Sequence, residues 1–428
     1  MTIGKRLLFF AGQAGVMLLA RFFFQWILKY VDQKDAGSSA LFVAASVGAV
    51  FLVARVLDGV LDPIVGSLSD RWVARGRERR KLLVYSFALA PVGLALAFAP
   101  SFDHSPVVRW ALLGAGFVVF FFGYTAYAIP YWSLVDDYGT SDRERSILSN
   151  LLGAGILLSV AIVSVATPKL IGAFGYGRAA WILAIPAALL MVLPYFAKPS
   201  GLDPSSKNGA ATHEGIGLGA MLGALRHRRF LAVLLLFSGS QMALTIISAA
   251  APFVCERLLR GSDADVSKLM TPFLGSAIPC FALVPTFARR LGWERAMLVA
   301  SVGLALVYLG VAFLGSDVAG TPMRTAMILF GCGGPMVAVL LGLESEAIAN
   351  CAREAEGSKT SLYFGMFNLG VKALNGVATF LTSLLVTLST DRPDLATTAT
   401  RAMGVLAAAL LFLGVGLYLA LRERRQDG

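Results

Sequence analysis

The sequence predicts an all-α membrane protein of 12 transmembrane helices arranged as two six-helix bundles. Three observations lead there. The 428 residues are 57% hydrophobic and only 15% charged, with a mean hydropathy of +0.72; soluble domains sit near 45–50% apolar and about 25% charged. Apolar runs of bilayer-spanning length recur from end to end. A polar break divides these runs six and six. The balance excludes a cytosolic enzyme, a disordered regulator and a secreted disulfide scaffold. The net charge of +11 lies in short clusters between apolar runs, not on one face or tail. It therefore reads as the positive-inside pattern and not as a nucleic-acid surface.

A helical span needs roughly 20 apolar residues. The first half supplies runs at 7–31, 40–69, 82–100, 108–133, 147–167 and 178–197. The second supplies 230–252, 268–288, 296–315, 322–343, 360–388 and 400–421. The first run follows Lys5 and Arg6 as a signal peptide would. It continues past an h-region to Val31, carries Arg21 and lacks a small-residue cleavage site, so it is read as a span. Segment 198–229, rich in Gly, Pro, Ser and charge, is read as a cytoplasmic central loop. It separates an N-terminal bundle, 1–197, from a C-terminal bundle, 230–428. Residues 216–226 within it read equally as a surface amphipathic helix or a linker.

Orientation follows from Lys and Arg. With a cytoplasmic N-terminus, about 23 of them fall inside and about 11 outside. The densest clusters, Arg71–Lys81, Arg226–Arg229, Arg289–Arg295 and Arg422–Arg425, all fall inside. Both termini are then cytoplasmic, in a multi-pass protein of the cell (inner) membrane. Two six-span halves joined by such a loop are the plan of parallel-repeat secondary transporters, with the substrate near the midplane. The expected partners are the lipid bilayer and a small-molecule substrate, with no nucleic acid and a functional monomer.

Five charges fall where a bilayer makes them costly: Arg21, Arg55, Asp58, Asp62 and Lys372. Such residues face the bundle interior and carry function. Asp58 and Asp62 are spaced i, i+4, so both carboxylates share a helix face. Measured from Asp70, they lie ~18 Å and ~12 Å deep. Two stacked like charges persist only beside a proton, a cation or a basic side chain. A coupling cation and a static salt bridge to Arg55 or Lys372 both satisfy that need. A hard cation such as Na⁺ prefers oxygen ligands; a proton neutralises one of the pair. Lys372 lies twelve residues into its span, with Asn368 at i−4 and Asn375 at i+3 on roughly the same face. Span 4 ends in Tyr124, Thr125, Tyr131 and Trp132 around Pro130, groups suited to stacking on a ligand or to a membrane interface. With three basic and two acidic groups in this set, Arg21 is expected to bind an anionic or zwitterionic substrate group. GCGGP at 331–335 is a hinge candidate.

Enzyme chemistry is not expected, since no nucleophile–base pair, metal-ligand cluster or phosphate-cradling loop is visible. The four cysteines have no metal or disulfide spacing and read as apolar fillers. No cofactor is expected beyond a coupling ion, H⁺ or Na⁺.

Three segments then carry a family resemblance. FLVARVLDGVLDPIVGSLSDRW followed by RGRERRK, IPYWSLVDDYGTSDRERS, and EGSKTSLYFGMFNLGVKALNG resemble the glycoside–pentoside–hexuronide:cation symporters of the major facilitator superfamily, the melibiose permease type. They cover about a quarter of the chain, in the family's order. The resemblance implies Asp58 and Asp62 as cation ligands (metal ligands if the ion is Na⁺), with Thr125 beside them and Lys372 as charge partner. It implies that Trp132 and Tyr124 line the substrate cavity, and that Asp70, Arg71, Arg143 and Arg145 belong to a cytoplasmic gate, with Asp142 and Glu144 as acidic partners. Apart from the resemblance, Asn368, on the same polar face as Lys372, is a candidate to bind substrate.

The departures bear on substrate and ion. The sugar carriers place carboxylates on helix I and just before the Ile-Pro of helix IV, and an Arg on helix V. Here span 1 has no carboxylate, and the other positions hold Ala128 and Gly153. Leu61 replaces an Asn before the second aspartate, which favours H⁺ over Na⁺. The expected function is cation-coupled symport of a sugar-like or anionic solute by alternating access. The competing readings are a carrier of lysolipid-like amphiphiles and a non-transporting membrane sensor on the same scaffold.

Overall fold

The computed structural model describes residues 1–34, 39–199, 225–315, 322–354 and 360–423. The residues 216–224 of the proposed amphipathic segment lie outside them. Among the described residues the chain is almost wholly helical, and twelve helical spans are long and apolar enough to cross a membrane. In order they are α1 (Ile3–Val31), α2 (Ala44–Ala74), the broken pair α3 (Arg80–Ser86) and α4 (Leu89–Ala97), α5 (Pro106–Tyr138), α6 (Asp142–Phe174), α7 (Tyr176–Val192), α8 (Arg228–Phe253), α9 (Val266–Leu291), α10 (Trp293–Gly310), α11 (Pro322–Glu354), α12 (Thr360–Asp391) and α13 (Ala396–Glu423). The helices run past the apolar stretches, because a helix continues into solvated polar residues while hydropathy marks only its lipid-depth part. The third span breaks at Phe87–Ala88; Pro91 has no N–H for the Phe87 carbonyl. Gly175 and Gly292, both at φ +76°, make the tight reversals α6–α7 and α9–α10, a left-handed backbone that glycine enters freely.

The chain packs as two compact units. One comprises Met1–Phe23 and Val60–Gly215, the other Phe24–Gly59 and Ile216–Gly428. The division therefore runs inside α1 and α2 as well as through the central segment.

The first unit has an aromatic core. Phe23 of α1 stacks on Phe120 of α5 at 4.4 Å and meets Phe98, Phe117 and Phe121 edge-on. Three α5 tyrosines seal it by donating hydroxyl protons to carbonyls: Tyr127 to Met191 (2.7 Å), Tyr131 to Phe9 (2.6 Å) and Tyr138 to Pro194 (3.3 Å). α4 lies directly on α5. A Cβ at Gly93 would overlap the Phe120 backbone, one at Gly116 the Ala97 backbone, and one at Gly123 would come 2.5 Å from the Ala90 nitrogen. Small residues are what let two helix backbones approach this closely.

In the second unit α8 packs on α13 and α12, and α9 on α11. Phe230, Phe237, Tyr363, Met366 and Phe367 anchor its core. α2 and α12 also meet at small residues. Gly48 faces Ser383, Gly59 faces Leu369, and Gly376 faces Leu52 and Arg55. After α8 the chain makes one π turn, Val254–Leu258. There Arg257 binds Asp32 at 2.7 Å and contacts Ser389, while Thr390 donates to the same Asp32 carboxylate and Lys29 pairs with Glu256. Burial raises the Asp32 carboxyl above its ordinary value, against the Thr390 hydrogen bond and the charges of Arg257, Lys29 and Lys34.

Candidate functional site

α2 is rich in Val, Leu and Ala, and an apolar helix of that kind tolerates charge only where neighbours meet it. Arg55, Asp58 and Asp62 follow at spacings of three and four, so they share a face. In the second unit Asp58 is wholly buried. Arg55 Nη1 donates to it at 2.6 Å, and Lys372 Nζ lies 3.2 Å from the same oxygen. The Arg55 guanidinium also stacks over the Phe24 ring, 5.0 Å from its centroid. The α2–α12 glycine contacts bring Lys372 within reach. In the first unit, Thr125 of α5 is buried and its hydroxyl donates to Asp62 at 3.3 Å. Pro63, inside α2, supplies no N–H to the carbonyl four residues back, at Gly59.

Around Thr125, Tyr124 and Trp132 are half-buried and set edge to face, 6.5 Å apart. Trp132 Nε1 donates to Gln13 Oε1 of α1 at 2.9 Å. Arg21 is half-buried on α1. Tyr131, grouped with these by sequence, is sealed in the core by its bond to Phe9. Ala128, where sugar carriers have a carboxylate, is also wholly buried. On α12, Lys372 is buried, Asn375 half-buried and Asn368 exposed, so the three do not form one enclosed stripe.

The expected gate residues separate into pairs. In the first unit Arg79 is the hub. It binds Asp70 (2.9 Å), Ser69 (2.9 Å) and Asp137 (3.0 Å). Arg145 lies 3.9 Å from Asp136, while Arg71 and Arg143 are exposed. Glu144 is drawn away from them, where it pairs with Arg6 (2.8 Å) and the N-terminal amine (3.2 Å). The Asp142 side chain lies outside the described residues. Lys198 and Arg80 clamp Glu78 and hold its carboxyl below the usual range. Among the described residues no group of His, Cys, Asp and Glu is arranged to hold a metal ion.

Sequence reasoning missed Glu344. The apolar run ends at 343, but α11 continues to Glu354. Glu344 accepts a 2.7 Å hydrogen bond from Gln241 of α8, and Thr245, one turn further along α8, donates to Asn375 Oδ1 at 3.2 Å. The available signal was Gln241, the one amide in a run whose other polar side chains are serine and threonine hydroxyls.

Known proteins agree with this architecture. A Bacillus subtilis protein named "Uncharacterized symporter YjmB" is 23% identical over 384 residues, 88% of this chain and 83% of that protein. An Escherichia coli protein named "Putative glycoside/cation symporter YagG" is 28% identical over 198 residues, 44% of this chain and 39% of that protein. Among solved structures, a bacterial homologue of the human lysosomal transporter Spinster superposes with a TM-score of 0.70 at 13% identity, covering 100% of this chain and 99% of that one. A point mutant of the nucleoside transporter NupG gives 0.66 at 14% identity, with 97% and 99% covered. At these identities the structures speak for the fold alone. The model of the MFS/sugar transport protein family matches residues 8–422, nearly the whole chain. The chain therefore belongs to that family: it is a multi-pass membrane transporter of the major facilitator superfamily and not an enzyme.

Proposed function

We propose that this transporter is a cation-coupled symporter of a small solute, sugar-like or an anionic metabolite, working by alternating access. Asp58 and Asp62 carry the coupling cation, H⁺ or Na⁺, with the Thr125 hydroxyl as a further oxygen. Arg55 and Lys372 hold Asp58 when the cation is absent. Arg21, Tyr124, Trp132 and Asn368 contact the solute. Asp70, Arg71, Arg143 and Arg145 serve the gate on the side of the basic clusters, which the positive-inside rule makes the cytoplasmic side of the inner membrane, with both termini there. The bundles at 1–197 and 230–428 are the moving halves, and one chain is the working unit.

The observation that carries this reading is the state of Asp58. A carboxylate buried in a span beside two basic groups, four residues from one that accepts a hydroxyl, is a costly arrangement for a purely structural helix. The name of the Escherichia coli relative, which refers to glycoside and cation symport, points the same way. Binding of a cation in exchange for Lys372 would couple its entry to the helix contacts that Lys372 makes.

The test is the thermal unfolding midpoint of detergent-purified protein, titrated with Na⁺ against choline at constant ionic strength and at two pH values, with Asp58→Asn in parallel. A ligand at a hundredfold excess over its Kd stabilises by ~2.7 kcal/mol. A Na⁺-specific rise absent in Asp58→Asn identifies a sodium symporter. A pH response lost in the variant, without a Na⁺ effect, identifies H⁺. No response to either ion refutes coupling at this site and turns the reading to an uncoupled carrier of amphiphiles or a membrane sensor.

A further inference from the structure

In the second unit α9 and α10 turn back on each other at Gly292, and both carry outward apolar side chains up to that turn. On α10 the exposed residues Val299, Val302, Leu306 and Leu309 recur at helical spacing and form one stripe, which Arg295 continues at the turn. On α9 Leu283, Phe287 and Leu291 are exposed four residues apart, with Arg289 and Arg290 exposed beside them. Outward apolar side chains on a membrane-spanning helix meet lipid chains, and arginines at its end extend into the headgroup layer. Two lipid-facing stripes therefore end in one basic turn.

The turn holds an open hollow of about 500 Å³, lined by Pro285, Ala288, Arg289, Gly292 and Trp293. Its charge is one-sided. Glu294, the one carboxylate of the turn, already accepts from Arg229 of α8 at 3.0 Å and lies 3.3 Å from Arg422 of α13. The Arg229 guanidinium also lies over the Trp293 ring, 5.6 Å from its centroid, and fixes that wall of the hollow. Arg289 Nε donates to the Pro285 carbonyl at 3.3 Å, a neutral partner. Among the described residues no carboxylate pairs with Arg289, Arg290 or Arg295. Arg79 and Arg80 of the first unit, by contrast, are paired with Asp70, Asp137 and Glu78.

Five guanidinium groups thus stand around one carboxylate. The planar fork of arginine matches a phosphate, and a Trp ring suits the level where headgroups meet chains. A soluble anion would answer the charge and leave the two apolar stripes uncovered. A ligand that answers both carries a phosphate and hydrocarbon chains on one molecule. We infer that the hollow at the α9–α10 turn binds the phosphate of an anionic membrane phospholipid, whose acyl chains lie along the Val299–Leu309 and Leu283–Leu291 stripes. Basic pockets between spans hold anionic headgroups in this way. Because Glu294 ties the turn to α8 and α13, the lipid braces the ends of the helices that meet there. Lipid binding here is independent of the ion and the solute that the chain carries.

The test titrates the full chain, purified in a neutral detergent, with dioleoylphosphatidylglycerol. Dioleoylphosphatidylcholine serves as the neutral lipid and glycerol 1-phosphate as the headgroup without chains. Native mass spectrometry gives the dissociation constant of the first ligand retained. Phosphatidylglycerol should bind about tenfold or more tightly than phosphatidylcholine. Arg289→Gln and Arg295→Gln should each weaken it about fivefold, and the double variant about twentyfold or more. Arg289→Lys, which keeps the charge, should retain most of the affinity. Arg178→Gln, at an exposed arginine beside the matching reversal at Gly175, should change nothing. All these positions are exposed, so the substitutions spare the fold. No preference for phosphatidylglycerol, an equal loss in Arg178→Gln, or glycerol 1-phosphate bound as tightly as the lipid overturns the inference. So does a dimer whose formation excludes the lipid, since the face would then belong to a second copy.

Discussion

Replacing Asp58 should damage the protein far more than replacing Lys372, although the two form one ion pair. Arg55, Asp58 and Lys372 together carry one net positive charge. Asp58→Asn raises that to two, inside a site where all three side chains are nearly inaccessible. Lys372→Met lowers it to zero and leaves the shorter 2.6 Å Arg55–Asp58 bond in place. Removing one partner of a buried pair costs about 3–5 kcal/mol when it strands a charge. Only the aspartate change does that. With an unfolding entropy of about 2.1 cal/mol/K per residue, the 428 residues give about 0.9 kcal/mol/K. Asp58→Asn should then lower the unfolding midpoint by about 3–6 °C. Lys372→Met should stay within about 1 °C of wild type, since its loss removes repulsion along with attraction. Arg55→Met should fall between them, because it also gives up the stacking on Phe24. The assay is a thermal unfolding scan in one detergent, without Na⁺, at fixed pH. If Lys372→Met costs as much as Asp58→Asn, the charge argument is wrong and Lys372 is the indispensable counterion.

The Asp32 cluster gives a pH dependence. Burial raises the folded-state pKa of Asp32, so between the ordinary carboxylate value and the raised one the folded chain keeps a proton that the unfolded chain has lost. Stability therefore falls as pH rises through that window. Asp32→Asn should flatten this slope in midpoints scanned from about pH 4 to about pH 7, and an unchanged slope would exclude Asp32 as its source. Thr125→Val removes the donor to Asp62 and should weaken cation-induced stabilisation, while Thr125→Ser, which keeps the hydroxyl, should retain it; the cation titration described above reads both. Gly116→Val should destabilise by at least about 1–3 kcal/mol through overpacking, whereas Gly153→Ala, with no heavy atom within 4 Å of the added carbon, should be neutral or slightly stabilising. Equal effects from these two would contradict the close α4–α5 approach.

Much of the fold was legible because the bilayer enforces a single periodic demand. Each of the twelve apolar runs corresponds to a span, and the charges at Asp58, Asp62 and Lys372 stood out by their cost in such runs. Helix ends were less legible. Hydropathy reports lipid depth, and α6 and α11 continue well beyond it. That is why Glu344, one residue past an apolar run, escaped notice. The aspartate pair was readable from its spacing, but its partners were not. Arg55 and Lys372 converge on Asp58 because Gly48, Gly59 and Gly376 let α2 and α12 close up, and glycines announce close approach without naming the neighbour. Equally, nothing in YTAYAIPYWSL separates Tyr131, whose hydroxyl is spent on a backbone carbonyl, from Trp132, which is half-buried beside Tyr124.

The glycine seam between α4 and α5 has a mechanical meaning. Where side chains interdigitate, rotamer changes can absorb a relative shift of two helices. Where backbone lies on backbone, there is nothing to yield. Gly93 of α4 and Gly116 and Gly123 of α5 make their contacts at Gly93, Ala97 and Ala90 of α4, over much of that helix, so α4 and α5 pack as a single girder. Thr125 and Trp132 sit on that girder. The seam ends short of Phe87–Ala88, where Pro91 offers the Phe87 carbonyl no N–H. A shift of Thr125 or Trp132 relative to α4 would therefore have to part backbone from backbone, not merely turn a side chain.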